Sequence, residues 1–124
     1  MPGRSSNSSV LRWPERAVVE ASFRQRITVL AEEVAGIEAA GYYGSYARGD
    51  WGVGSDLDVF LVVSDGSAAE QRKHWDFLTL PVPVDVMVLS SSEFLSMKKH
   101  RRRFVDVLEN ESVVVCGDFP TQIV

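Results

Sequence analysis

The sequence has one cysteine and two histidines in 124 residues. A lone thiol closes no internal disulfide and builds no thiolate zinc cluster, so the chain suits a reducing, cytoplasmic setting. Cys116, at the end of the apolar run Val113 to Cys116, reads as a small buried hydrophobe. His74 and His100 are far from each other and from the aspartates discussed below, with no metal-ligand spacing, which leaves them as surface or satisfied histidines. No apolar run is long enough to span a bilayer, and Met1 to Ser9 lacks the apolar core of a secretion signal. Internal repeats are absent. Cations are also scarce: the net charge is −4, and Lys98, Lys99, Arg101, Arg102 and Arg103 hold five of the 13 basic residues, so the other eight are set against 17 acidic ones. An acidic chain lacks the charge that neutralises many phosphates, which argues against specific binding of duplex DNA. The basic run itself reads first as a solvated helix face and second as a patch for an acidic partner, a nucleotide or RNA.

What is present is the balance of a globular domain, 45% hydrophobic and 24% charged. Residues 1–12 are poor in groups worth burying and are expected to form a disordered tail; residues 13–124 are expected to form one domain. Pro14 can open a helix, and apolar residues at Phe23, Ile27, Leu30, Val34 and Ile37 follow with helical spacing, so a helix is expected to run until Gly41. Tyr42 and Tyr43 then begin a short strand that leads into Gly44 and Ser45. Tyr46 to Ser55 reads as a helical turn plus a glycine-rich loop. Asp56 to Val63 has the dense Val, Leu and Phe content of a strand buried on both faces. A turn at Ser64 to Ser67 leads to a helix expected to end near Leu78, before Pro81 and Pro83. Strict alternation from Val82 to Leu89 predicts a strand with Asp85 opposite the valine row. Ser90 and Glu93 have capping-box spacing for a helix, Phe104, Val105 and Leu108 suggest another, and Val113 to Cys116 a closing strand. The expected fold class is α/β (α+β): a small mixed sheet flanked by helices.

The chemistry-bearing residues cluster in the middle of this plan. Asp56 and Asp58 are two apart at the start of the best strand, so they share a face, about 7 Å apart along an extended backbone. Two carboxylates beginning a buried strand must be paired, protonated or bound to a cation. With only hard oxygen donors nearby, magnesium is expected, with manganese as the substitute. If the strand carrying Asp85 is adjacent, three carboxylates can hold two ions about 4 Å apart, the in-line phosphoryl-transfer arrangement. Upstream, Gly44 lets a phosphate approach the backbone, Ser45 can donate its hydroxyl to it, and both sit where a helix N-terminus begins. Arg48, one turn on, can neutralise triphosphate charge or pair with Asp50 or Glu38. Trp51 can cover a base or pack against the fold, while Trp13 and Trp75 read as core or interface residues. A P-loop is excluded because Asp50 stands where its lysine belongs, and the acidic loop lacks the ligand pattern of an EF-hand.

Gly44-Ser45, ten intervening residues and then Asp56-Leu57-Asp58 resemble the signature of the DNA polymerase beta-like nucleotidyltransferase superfamily. Within it, Gly44, Ser45, Ala47, Arg48 and Gly49 followed by Ser55, Asp56 and Asp58 look most like the minimal nucleotidyltransferases found as the antitoxin half of toxin–antitoxin pairs. Asp85, within Val84-Asp85-Val86, matches the third carboxylate of the family. The resemblance covers Ala40 to Leu89 in detail and implies the polymerase beta-like fold. It implies two Mg2+ ions, one bound with the nucleotide by Asp56 and Asp58 and a second that Asp85 completes. Gly44, Ser45, Arg48 and Ser55 would form the nucleotide site, with Ser45 on the leaving phosphates. The reaction it implies is transfer of a nucleoside monophosphate, AMP from ATP, to a hydroxyl with release of pyrophosphate. The acceptor implied is a tyrosine of a helical, HEPN-type toxin. A departure is the loop Trp51 to Gly54, less polar than in many relatives. Two alternatives stand beside this reading: a module that masks its partner by binding, and an aminoglycoside-type transferase, the latter disfavoured because the chain stops at Val124 without an added helical domain.

Overall fold

A computed structural model describes residues 13–100 and 102–121 of the chain. The expectation of a disordered tail at residues 1–12 falls outside that range, as does Arg101 of the basic run.

Helix α1 (Arg16–Glu33) begins two residues after Pro14, and its buried stripe is Val19, Phe23, Ile27 and Leu30. It ends earlier than the sequence suggests. Val34 is already extended, the chain turns at Gly36, and Ile37 opens strand β1 (Ile37–Tyr43). Val34 and Ile37 keep the helical rhythm by coincidence, because both are drawn to the same core from non-helical backbone. Gly41 therefore does not terminate a helix. It lies inside β1, where an added Cβ would overlap the Val113 carbonyl and press within 2.8 Å of the Phe60 ring.

A short helix α2 (Ser45–Arg48) follows β1 directly, and a loop leads to strand β2 (Leu57–Val63). Helix α3 (Ala68–Gln71) is one turn, capped where the Ser67 hydroxyl accepts from the Glu70 N–H at 3.1 Å. The expected continuation to Leu78 is absent. Arg72 turns extended, and Phe77, Leu80 and Val82 are buried one at a time from irregular chain rather than along a helical stripe. Strand β3 (Val84–Ser90) starts after Pro83, two residues later than the alternation implied. At its end Ser90 and Glu93 form the expected capping box: the Ser90 N–H donates to Glu93 at 2.8 Å and the Glu93 N–H donates to Ser90 Oγ at 3.1 Å. Helices α4 (Ser91–His100) and α5 (Arg102–Glu111) then lead to strand β4 (Val113–Gly117).

The strand order is β3-β2-β1-β4, with β1 antiparallel to both neighbours and β2 parallel to β3. The sheet is thus mixed, and the α/β class stands. Central β2 explains its own unbroken hydrophobicity. Val59, Leu61 and Val63 join the core under α1, while Phe60 and Val62 join a second core with Phe94, Val105 and Leu108 of α4 and α5. A strand covered on both sides has no face left for polar residues. Polar groups are accordingly pushed to its ends, where the aspartates stand.

Candidate active site

The sheet register does the first assembling. Tyr43 of β1 is paired with Asp58 of β2, and Asp58 with Asp85 of β3. Paired residues on adjacent strands project to the same face, so Tyr43, Asp58 and Asp85 form one row across three strands. By the same alternation the row shares its face with Phe60 and Met87, on the side covered by α4 and α5. Asp56 lies immediately upstream of β2. Asp56 and Asp85 are exposed and Asp58 is half-buried.

The electrostatics follow from this crowding. Burial, then the charges of Asp85 and Asp56, hold the Asp58 carboxyl above the usual carboxylate range, with Arg48 acting in the opposite sense. Burial and then the charges of Asp58 and Asp85 push the Tyr43 phenol up as well. Both groups feel one acidic centre, which the charge of Arg48 offsets only in part at Asp58. Among the described residues, no group of three or more His, Cys, Asp or Glu side chains is gathered closely enough to hold a metal ion. The three carboxylates share a neighbourhood but stand apart, as like charges do. As a donor set they fit a hard divalent cation such as magnesium or manganese, since every ligand offered is a carboxylate oxygen.

Gly44 brings the backbone against this centre. Its φ is +74°, in the region that disfavours side chains, and a Cβ there would overlap the Asp58 carboxylate. The strand can therefore turn into α2 directly over Asp58 only with glycine at this position. Helix α2 takes its first hydrogen bonds from Ala47 and Arg48, at 3.1 and 3.0 Å, both onto the Gly44 carbonyl. The N–H groups of Ser45 and Tyr46 precede these first helical bonds, just after the turn that lies against the Asp58 carboxylate. Arg48 is exposed and pairs with Asp50 at 3.2 Å, one of the two partners its position suggested. Ser55 is tied into the loop: its hydroxyl accepts from the Gly52 N–H at 2.9 Å, and its own N–H donates to the Gly52 carbonyl at 2.9 Å. Gly44, Asp56, Asp58, Asp85 and, through its charge, Arg48 are brought together; Ser55 closes the loop before them through its two hydrogen bonds to Gly52.

The sequence model of the nucleotidyltransferase domain family matches residues 24–115. The chain belongs to that family. Its match runs from the middle of α1 into β4 and so contains β1, β2 and β3 whole and the first residues of β4. Solved structures similar to this nucleotidyltransferase domain include a protein from Sulfolobus solfataricus described as a nucleotidyltransferase, at 18% identity and a TM-score of 0.49, covering 80% of each chain. Another is a toxin–antitoxin structure with AMP-PNP, at 13% identity and a TM-score of 0.46, covering 77% of this chain and 73% of that one. No curated protein matches the chain.

In this nucleotidyltransferase domain the turn at Gly44 is braced from behind. Tyr46 is buried; its hydroxyl accepts from Trp13 Nε1 at 3.1 Å, its carbonyl accepts from Arg16 Nε at 3.0 Å, and its ring stacks on Trp51 at 5.5 Å between centroids. Trp51 therefore packs against the fold. Arg16 also donates to the Tyr42 hydroxyl at 2.9 Å, while that hydroxyl donates to Glu20. Burial, then the hydrogen bond to Glu20, pushes the Tyr42 phenol up to about 12, so it stays a donor at any physiological pH. Together α1, β1 and α2 are locked at the point where the glycine turn meets Asp58. Tyr43 was not legible as part of the site, although alternation along β1 already separates it from Tyr42 and directs it to the other face. Cys116 is half-buried, packed against the core rather than enclosed by it. His74 and His100 are exposed, matching their reading as surface residues. No helix among the described residues is long and apolar enough to cross a membrane.

Proposed function

We propose that the domain transfers AMP from ATP to a hydroxyl of a partner protein, and that it does so as the antitoxin of a helical, HEPN-type toxin in the cytoplasm. The observation that carries the proposal is the register pairing of Asp58 with Asp85 under the Gly44 turn, with Asp56 adjoining. The nucleotidyltransferase family supports transfer of a nucleotidyl group; the Gly44-Ser45-x-Ala47-Arg48-Gly49 and Ser55-Asp56-x-Asp58 runs support the antitoxin subtype.

In this reading Asp56, Asp58 and Asp85 hold two magnesium ions. Those ions, when bound, supply charge neutralisation for the triphosphate and lower the pKa of the acceptor hydroxyl. The chain's own residues do the positioning. Gly44 keeps the backbone thin enough for the phosphates to approach. The Ser45 hydroxyl and the N–H groups at the start of α2 bind the leaving phosphates, and Arg48, exchanging its exposed pair with Asp50, adds charge to the same group. Such an exchange costs little, because exposed ion pairs are weak, on the order of 0–1 kcal/mol. The acceptor hydroxyl gives its proton to solvent as its oxygen attacks the α-phosphorus, the bond from that phosphorus to the α,β-bridging oxygen breaks, and pyrophosphate leaves.

The purified chain, incubated with α-labelled ATP, magnesium and the product of the adjacent gene, is expected to label that protein. Combining Asp56→Asn with Asp58→Asn is expected to abolish labelling. No transfer by the wild-type chain, or undiminished transfer by the double variant, removes the enzymatic reading and leaves masking by binding alone.

A further inference from the structure

The basic run has no part in the site described so far, and only some of it has a structural reason. Lys98, Lys99 and His100 close α4, where cations complement the negative end of the helix, and Lys98 also pairs with Glu109 at 3.1 Å. Arg102 and Arg103 are different. They occupy the first turn of α5, which holds no acidic residue, so they add positive charge to the positive end of a helix. Both are exposed, and among the described residues neither makes an ion pair, even though Asp106 lies one turn further on. Charges kept where the fold disfavours them signal a role outside the fold.

Their surroundings indicate what that role is. Arg102, Arg103 and His100 rim an open groove of about 610 Å³ whose apolar floor is Phe104 and Val107. Phe104 meets Tyr43 edge-to-face, with ring centroids 6.2 Å apart. Tyr43 is the first member of the row that continues through Asp58 and Asp85. The groove is thus separated from the aspartate row by one pair of aromatic rings.

We infer that this groove docks an acidic segment of the acceptor protein, holding carboxylates on Arg102 and Arg103 while a nearby hydroxyl reaches the aspartate row. The inference rests on the protein-acceptor reading above. A peptide fits better than a nucleic-acid end, because the chain as a whole carries a net charge of −4, which repels a polymer with a phosphate on every unit. A peptide brings charge only where its Asp and Glu residues stand, and its apolar side chains have Phe104 and Val107 to cover.

The test uses the full chain and a fluorescent copolymer of glutamate and tyrosine, with binding followed by anisotropy in the absence of ATP. Wild type is expected to bind it and to weaken as salt rises. Arg102→Glu combined with Arg103→Glu is expected to lose at least tenfold in affinity. That variant places acids at a helix N-terminus, so it should fold at least as well, which circular dichroism checks. Equal binding by wild type and variant overturns the inference, as does groove-dependent binding of a single-stranded oligonucleotide in place of the copolymer. The Arg102→Glu, Arg103→Glu variant is expected to keep the rise in Tm that magnesium and ATP give the wild type; loss of copolymer binding with that rise intact separates the docking surface from the nucleotide site.

Discussion

Two residues carry the tightest constraints. At Gly44 the backbone is left-handed and faces the Asp58 carboxylate with no room for a methyl group. Gly44→Ala is expected to cost about 1–3 kcal/mol of stability, measured by urea unfolding, because strain and a displaced carboxylate add. An unchanged midpoint contradicts the placement of this turn. Asp58 is the opposite case, a residue the fold tolerates against its interest. Its carboxyl is held above the ordinary value of 3.8, so the folded chain keeps a proton that the unfolded chain releases. Its contribution to stability is therefore greatest below pH about 3.8 and declines as pH rises through the folded-state pKa. At neutral pH without divalent cations, Asp58→Asn should melt at a higher temperature than wild type. The gap should close on acidification. A variant that melts lower at neutral pH speaks against like-charge crowding at the site.

At the level of elements, the capping box shows how local sequence fixes a boundary. Ser90 and Glu93 satisfy each other's N–H groups where β3 hands over to α4. Ser90→Ala is expected to lose about 1 kcal/mol in denaturant unfolding while nucleotide binding persists; a loss of binding would tie this junction to the site. This signal was readable because it is short-range, as was the run of β2, whose burial on both faces leaves only apolar residues. The row of Asp58 and Asp85 could be foreseen only conditionally, since nothing local to either residue states which strands are neighbours. The errors have one cause. Val34 and Ile37 continue a helical spacing that the turn at Gly36 interrupts, and the segment after Gln71 is apolar without any period. In both places burial is set by distant partners, since Val34, Ile37, Phe77 and Leu80 all pack into the core that α1 shares with β2, which no local window contains. Tyr43 was missed for the same reason: its part in the site comes from β1 pairing with β2, not from its neighbours in sequence.

For the molecule as a whole, the sheet acts as a frame whose two apolar cores hold β1, β2 and β3 in register and so set the spacing of the acidic row. Burial and the neighbouring charges of Asp85 and Asp56 outweigh Arg48 at Asp58, and binding of a cation with its nucleotide should therefore stabilise the whole domain. Magnesium with ATP at a hundredfold excess over the dissociation constant is expected to add about 2.7 kcal/mol to unfolding free energy, read as a rise in Tm that Asp85→Asn diminishes. No shift with saturating ligand would mean that the cleft does not bind them. The most direct measurement is a titration of Mn2+ in the presence of a non-hydrolysable ATP analogue, followed by electron paramagnetic resonance. Two ions per chain in wild type, with one lost in Asp85→Asn, is the predicted result; equal stoichiometry in the two proteins would contradict a shared carboxylate site.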